Sequence, residues 1–354
     1  MNFNMDFYKQ DLHTTHLLTK LFCKNMNIPI NCYERDIFES RIELFNPFLN
    51  TKEKFKIFQK YINNFNTIED IRNYETEIEE KILEKIKNPF YDDFIDNKFI
   101  YQNDVISKFL STTKLSTIYN PNNHNKNFLS VDLKQANFSA LKHYSYKIFD
   151  MYEEIDTWND FIKQFTPHPF LQDSKHFREI IFGKLNPKKI QRYEMYLMIR
   201  FIFPIICSLY LVNHDSLICL HGDELIFELK NNVDELIFIH DSAKNIIKSL
   251  FNIDLNITIF KLINIDGINS GFLKLNYSNK QDVLYDNIDI KGVNNLLYPF
   301  IASDLTKLIY NKTLEHDFMK YYFYEQNTGT LARMLENPKY DIKISDEDLK
   351  GIKI

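Results

Sequence analysis

The chain has 354 residues, 44% of them hydrophobic and 26% charged, with a formal net charge of −5. This composition excludes global disorder and predicts a sizeable core, in one large domain or two. The acidic balance argues against a protein that coats nucleic acid over its whole surface, while leaving room for a local basic groove.

Residues 1–118 read as a helical domain. Residues 75–87 (ETEIEEKILEKIK) place acid before base at helical spacing over an apolar stripe at Ile78, Ile82, Leu83 and Ile86. Residues 45–58 repeat the pattern more weakly. No constellation of chemistry-bearing residues occurs in this part, and no 20–50 residue period marks a repeat architecture. The polar stretch 119–126 (YNPNNHNK) is a loop and the domain boundary.

A palm-like domain is expected over 127–290. Residues 127–132 form an apolar strand ending in Asp132, handing over directly to a helix at 133–142 with apolar spacing at Leu133, Ala136, Phe138 and Leu141. Residues 145–213 form a helical insertion. It contains a helix over 145–165 interrupted at Thr166-Pro-His-Pro169, and a short helix over 173–182 stopped by Gly183. A longer helix follows, capped by Asn186 with Pro187 at its first position, running to about 212 with a kink at Pro204.

Residues 216–229 (SLICLHGDELIFEL) read as strand, tight turn at His221-Gly222, adjacent acids Asp223 and Glu224, then strand: a β-hairpin. Residues 232–235 start a capped helix that stays amphipathic over 233–250. Strands follow over 255–265 and 271–277. This order predicts an α+β fold, an antiparallel sheet backed by helices. Residues 291–336 are expected to be a helical C-terminal region and 337–354 a loose polar tail.

The cysteines, Cys23, Cys32, Cys207 and Cys219, form no C-x-x-C pair. Free thiols in a reducing, intracellular compartment are expected, with neither a disulfide framework nor a zinc site. The N-terminus lacks the basic-then-apolar pattern of a signal peptide. The most apolar run, residues 201–212, is shorter than the ~20 residues that span a bilayer, so no membrane partner is expected.

Asp132 and Asp223 each end or turn an apolar strand. If those strands are neighbours, both carboxylates reach one edge, where they can share a pair of Mg²⁺ or Mn²⁺ ions ~3.5–4 Å apart. Such a site activates a 3′-hydroxyl and neutralises a departing pyrophosphate in in-line phosphoryl transfer. Between the two aspartates lies a basic stretch, with Lys175, Arg178, Lys184, Lys188, Lys189 and Arg192 against Asp173 and Glu179. A nucleoside triphosphate needs such charge. The plainer alternatives are a solvated hairpin turn and a solvated helical face.

Residues 220–229 (LHGDELIFEL) resemble the third palm motif of family A DNA polymerases, V-H-D-E-L-V-F-E-V, with Gly222 inserted. Asp132-Leu-Lys-Gln-Ala-Asn-Phe-Ser resembles their first motif, D-Y-S-Q-I-E-L-R, at Asp132 and Gln135. Arg178-Glu-Ile-Ile-Phe-Gly183 resembles their fingers-helix motif, K-x-x-N-F-G. The three come in the family's order within about residues 127–265. The resemblance implies a two-metal polymerase palm with Asp132 and Asp223 as metal ligands. It gives Glu224 a role at the primer terminus and Arg178 one at the triphosphate, with Lys184 and Lys188 beside it. Gln135, Asn137 and His221 are further substrate-binding candidates. The partners it implies are nucleoside triphosphates and a nucleic-acid primer or template. Asn137 replaces the acid that screens the sugar 2′-hydroxyl, which leaves ribonucleotides as candidate substrates. Asn186-Pro187 replaces the fingers Tyr-Gly. The Gly-Asp-Glu hairpin also resembles the turn of diguanylate cyclases and of the tRNA-end guanylyltransferases. A non-catalytic palm-fold module for nucleic-acid binding or assembly is the alternative from a different class.

Overall fold

The computed structural model describes residues 5–98, 104–113, 115–149, 156–230, 233–280, 283–310, 320–324, 330–334 and 336–352. It is an α+β structure in which an antiparallel sheet is backed by helices.

Helices α1 (Leu12–Asn25), α2 (Arg35–Leu49), α3 (Thr51–Ile62), α4 (Ile68–Ile86), α5 (Pro89–Asp96) and α6 (Asp104–Thr112) come first. Local chemistry sets their ends. Asp11 caps α1, Thr67 and Asp70 form a capping box on α4, and Asn88 caps α5 ahead of Pro89. The helix expected over 45–58 is broken in two by Asn50, whose left-handed φ of 50° ends α2 and begins α3. The phenylalanines pack edge to face, as Phe22–Phe55 at 5.2 Å and Phe38–Phe55 at 5.3 Å.

The sheet follows the order β2-β3-β1-β4-β5-β6. Its strands are β1 (Asn127–Leu133), β2 (Leu217–His221), β3 (Glu224–Leu229), β4 (Leu255–Asp266), β5 (Phe272–Tyr277) and β6 (Tyr285–Lys291). Alternation gives it two different faces. Leu129, Val131 and Leu133 of β1, with Leu225 and Phe227 of β3 and Ile257 and Ile259 of β4, enter the same buried cluster as Phe22, Phe38 and Phe58 of the N-terminal helices. The opposite face carries Phe128, Ile226, Phe260, Leu262 and Phe272, partly covered by Ile118. Ser130 and Asp132 of β1 and Glu224 of β3 share that second face by register.

Between β1 and β2 run α7 (Ala136–Tyr144), α8 (Trp158–Ile162), α9 (Lys175–Gly183), α10 (Pro187–Leu197) and α11 (Phe203–Tyr210). The turn Met198–Ile202 between the last two is a π turn. Pro204 has no N–H to give and its ring crowds the carbonyl four residues back, so the wider turn is the local solution to the expected kink. Taken whole, Pro187–Tyr210 is long and apolar enough, by length and composition, to cross a bilayer. It also lines the core, with Ile190, Leu197, Met198, Ile202 and Ile206 buried alongside Lys189 and Glu194. The four cysteines are free thiols.

Several expected boundaries shift. Gln135 takes a left-handed φ of 55°, so the helix after β1 begins at Ala136 and Asp132 stays inside the strand. The helix expected over 233–250 is a short one at Val233–Ile237 followed by α12 (His240–Phe251). Among the described residues of the C-terminal region, α-helix is confined to α13 (Tyr298–Tyr310), and the region also holds a hairpin of β7 (Tyr321–Tyr324) and β8 (Thr330–Arg333). Runs such as Tyr-Tyr-Phe-Tyr favour a strand over a helix.

The expected loose tail is docked. β9 (Asp341–Ile342) pairs with the end of β4 and α14 (Asp346–Gly351) follows. Asp348, 3% exposed, accepts from Lys261 Nζ at 2.9 Å, Tyr285 Oη at 2.6 Å and Ser345 Oγ at 2.7 Å. Burial opposes its charge, but these donors outweigh burial and hold the carboxyl below the ordinary aspartate range. The docking energy of a depressed carboxyl is present above its unfolded pKa and is lost as pH falls through the folded one. Asp348→Ala, which strands Lys261 and Tyr285, is expected to cost about 2–4 kcal/mol by urea denaturation. It should also expose residues 336–352 to limited proteolysis; an unchanged midpoint and digestion pattern would refute this account of the tail.

Candidate active site

The site is built on β1. Because β1 pairs with β3 on one side and β4 on the other, Glu224, Asp132 and Asn256 form one row across three strands. Asn256 Nδ2 donates to Asp132 Oδ2 at 3.2 Å, and Ser130 Oγ donates to Glu224 Oε1 at 2.6 Å. Asp223 lies in the turn between β2 and β3, where Gly222 takes a φ of +49° that a side chain would disfavour. The carbonyl of Asp223 accepts from the Leu133 N–H at 2.9 Å, which clamps the hairpin tip to the end of β1. Gln191 of α10 lies against the same tip, 3.5 Å from where a Cβ on Gly222 would stand.

The structure therefore brings Asp132, Asp223 and Glu224 together, and adds an acid that the sequence reading missed. Glu194 of α10 is 4% exposed and accepts from Asn137 Nδ2 at 2.6 Å. Its carboxyl is pushed up to about 7, first by burial, then by the charge of Asp223 and, more weakly, of Asp132, against the pull of Asn137. Burial likewise pushes Asp132 up to about 6. Asn256 and Lys175 pull it back, and the charges of Asp223 and Glu224 push it further. Asp223 is raised by burial and by Glu224, and lowered by its own backbone hydrogen bond, Lys175 and His221. The signal for Glu194 was present in the sequence: it stands between Ile190 and Leu197, on the apolar stripe of an amphipathic helix.

The basic stretch does not act as one patch. Lys175, in the first turn of α9, is the cation that acts on both aspartates. Arg178, the residue singled out by the motif, is half-buried, and its charged neighbour is Glu179. Lys184 pairs with Glu79 of α4. Lys188 is exposed on the first turn of α10. Lys189 is buried and donates to the carbonyls of Ile95 at 2.6 Å and Asn97 at 2.8 Å. Gln135 uses both ends of its amide on α8, accepting from Trp158 N–H at 2.9 Å and donating to Asn159 Oδ1 at 2.8 Å. His221 is exposed at the end of β2.

Among the described residues, no group of three or more His, Cys, Asp or Glu is arranged to hold a metal ion. No protein-family model matches the chain, and no curated protein matches it in sequence. The likeness to the family A motifs accordingly rests on the residues quoted above.

These carboxyls make a stability prediction with a definite sign. A carboxyl whose folded pKa is raised favours the fold while protonated. That contribution is full below the unfolded pKa of about 4 and is lost as pH rises through the folded value, here about 6 for Asp132 and about 7 for Glu194. Asp132→Asn and Glu194→Gln are each expected to raise Tm by about 1–4 °C at pH 8 and to change it little at pH 4. A loss of Tm at pH 8 in both variants would show that the carboxylates are held by partners rather than crowded together.

Proposed function

We propose that this chain is a metal-dependent nucleotidyltransferase, most simply a divergent, family A-like polymerase that adds nucleotides to a nucleic-acid 3′ end. The single observation behind this reading is the convergence of Asp132, near the end of β1, and Asp223, in the hairpin turn clamped to it, with Lys175 as their shared counter-charge. Crowded carboxyls at the end of a rigid strand and in the turn clamped to it suit a divalent cation of the Mg²⁺ or Mn²⁺ type. Such an ion takes one or two protein carboxylates and completes its shell with water and substrate phosphate, so the donor set fits it without a third acid. Asp132 and Asp223 would hold it. When bound, it supplies charge neutralisation for the leaving pyrophosphate and a more acidic 3′-hydroxyl.

The chain's own residues do the rest. Lys175 meets the negative charge of the triphosphate. Glu224, fixed by Ser130 Oγ, is placed to orient the primer terminus. Asn137 and Glu194 act as a hydrogen-bonded pair beside the sugar of the incoming nucleotide, where the family carries an acid in place of Asn137. The four thiols, all free, fit an intracellular, reducing setting.

A second reading, a palm-like binding or assembly module without catalysis, is favoured by one observation. Lys184 and Lys189 are committed to the N-terminal helical part instead of facing the acids.

Primed and unprimed templates, with labelled deoxyribonucleotides or ribonucleotides and Mg²⁺ or Mn²⁺, separate the two. Incorporation is expected, falling at least about 1,000-fold in Asp132→Asn and Asp223→Asn. Mg²⁺ should also raise the Tm of the wild type at pH 8 and not that of either variant. Neither incorporation nor a cyclic product from GTP under any divalent ion would leave the module reading.

A further inference from the structure

A cavity of about 410 Å³ opens where α1 meets α9, within the ~300–1,000 Å³ range of small-ligand sites. It is lined by Lys20, Lys24, Lys175 and His176, with Glu179 as the one acidic residue in the lining. Glu179 lies 3.7 Å from Lys175 on the exposed side of α9, so the lining stays net positive.

The walls are fixed by a buried hydrogen bond. Ser174, fully buried at the start of α9, accepts from the Phe177 N–H at 2.9 Å and donates to Asn25 Oδ1 at 2.5 Å. Asn25 is the last residue of α1, so the last turn of one helix is held against the first turn of the other. Lys20 and Lys24 stand four residues apart on one face of α1, a spacing at which like charges disfavour a helix. Here they meet Lys175 and His176 across the cavity. The Lys24 charge reaches His176, whose pKa is lowered first by burial and then by that ammonium. Several like charges around one small volume are relieved by a multivalent anion. Lys175 belongs both to this cavity and to the acidic site, since it is the cation acting on Asp132 and Asp223.

We infer that the cavity is a polyphosphate subsite, taking the phosphate tail of a nucleoside triphosphate or the released pyrophosphate, with Lys20 and Lys24 of the N-terminal helix as its anion contacts. None of the palm-like motifs in the sequence contains either lysine. The identity of the ligand rests on the nucleotidyl-transfer reading; the anion site itself rests on the cavity and its charges.

The test is calorimetric titration of the full chain with inorganic pyrophosphate and with tripolyphosphate, without nucleoside, at ~150 mM salt. The wild type is expected to bind both. Lys20→Ala/Lys24→Ala should weaken binding roughly 10-fold or more, with Tm within about 2 °C of the wild type because both side chains lie outside the core. Lys24→Glu should weaken it further. The imidazole of His176, followed by NMR, should titrate at higher pH when pyrophosphate is bound. No binding by the wild type, or equal affinity in the double variant, overturns the inference. The two proposals fail separately. Lysine-dependent pyrophosphate binding without primer extension keeps this site and removes the transferase. Primer extension with an unchanged KM for the triphosphate in the double variant does the reverse.

Discussion

The position of β1 between β3 and β4 is the constraint on which the rest of the structure depends. That register puts Asp132 opposite Glu224 on one side and Asn256 on the other. A slip of one residue would turn Asp132 into the core and Val131 out of it. Leu129, Val131 and Leu133 prevent the slip, because all three are buried against the helical layer. The apolar face of the strand thus holds the polar face in place. The hydrogen bond from Leu133 N–H to the carbonyl of Asp223 then carries the hairpin turn to the same point.

This arrangement runs against electrostatics. Asp132, Asp223 and Glu194 gather, with Glu224 beside them, where burial already disfavours the charged forms of those three. Structural ion pairs elsewhere in the chain are resolved differently. Asp348 meets Lys261, and Asp156 is bridged by Lys142 and Lys248. At the acidic site Lys175 opposes Asp132 and Asp223, and Lys274 of β5 opposes Glu224 and Asp132, two lysines for four carboxyls. An imbalance of this kind is tolerated where a site must accept a further positive charge. It is the physical core of the argument for a divalent ion there.

The helices serve as positioning elements as much as a backing layer. α10 carries Glu194 into the site while its buried cation, Lys189, reaches carbonyls of the N-terminal part. Ser174 and Asn25 seat α9 against α1, so that Lys175 lines a basic cavity while its charge acts on the aspartates. The N-terminal helices share one core with the back of the sheet. Through that core their packing governs the geometry of a site that none of their carboxylates enters.

Much of the local structure was legible in the sequence. The hairpin at 216–229, the strand ending near Asp132, the Asn186-Pro187 helix start and the sheet-plus-helices class follow from periodicity, caps and turn residues, which act over a few neighbours. The shortfalls have local causes as well. Asn50 and Gln135 adopt left-handed conformations that period counting passes over, and the strand-favouring aromatic run at 321–324 lies inside a stretch expected to be helical. What tertiary structure decided was which charge meets which. Arg178 carried the motif, yet it is the Lys175 charge that acts on the aspartates. Lys184 went to Glu79, and Glu194 arrived from a helix read in the sequence only by its cap and its prolines. The tail from 337 looked loose because the partner of Asp348 is Lys261, far away in the chain. Short-range rules fix where a segment bends and which side is apolar. The facing of a lone charge depends on how whole helices pack, and that is a property of the assembled core.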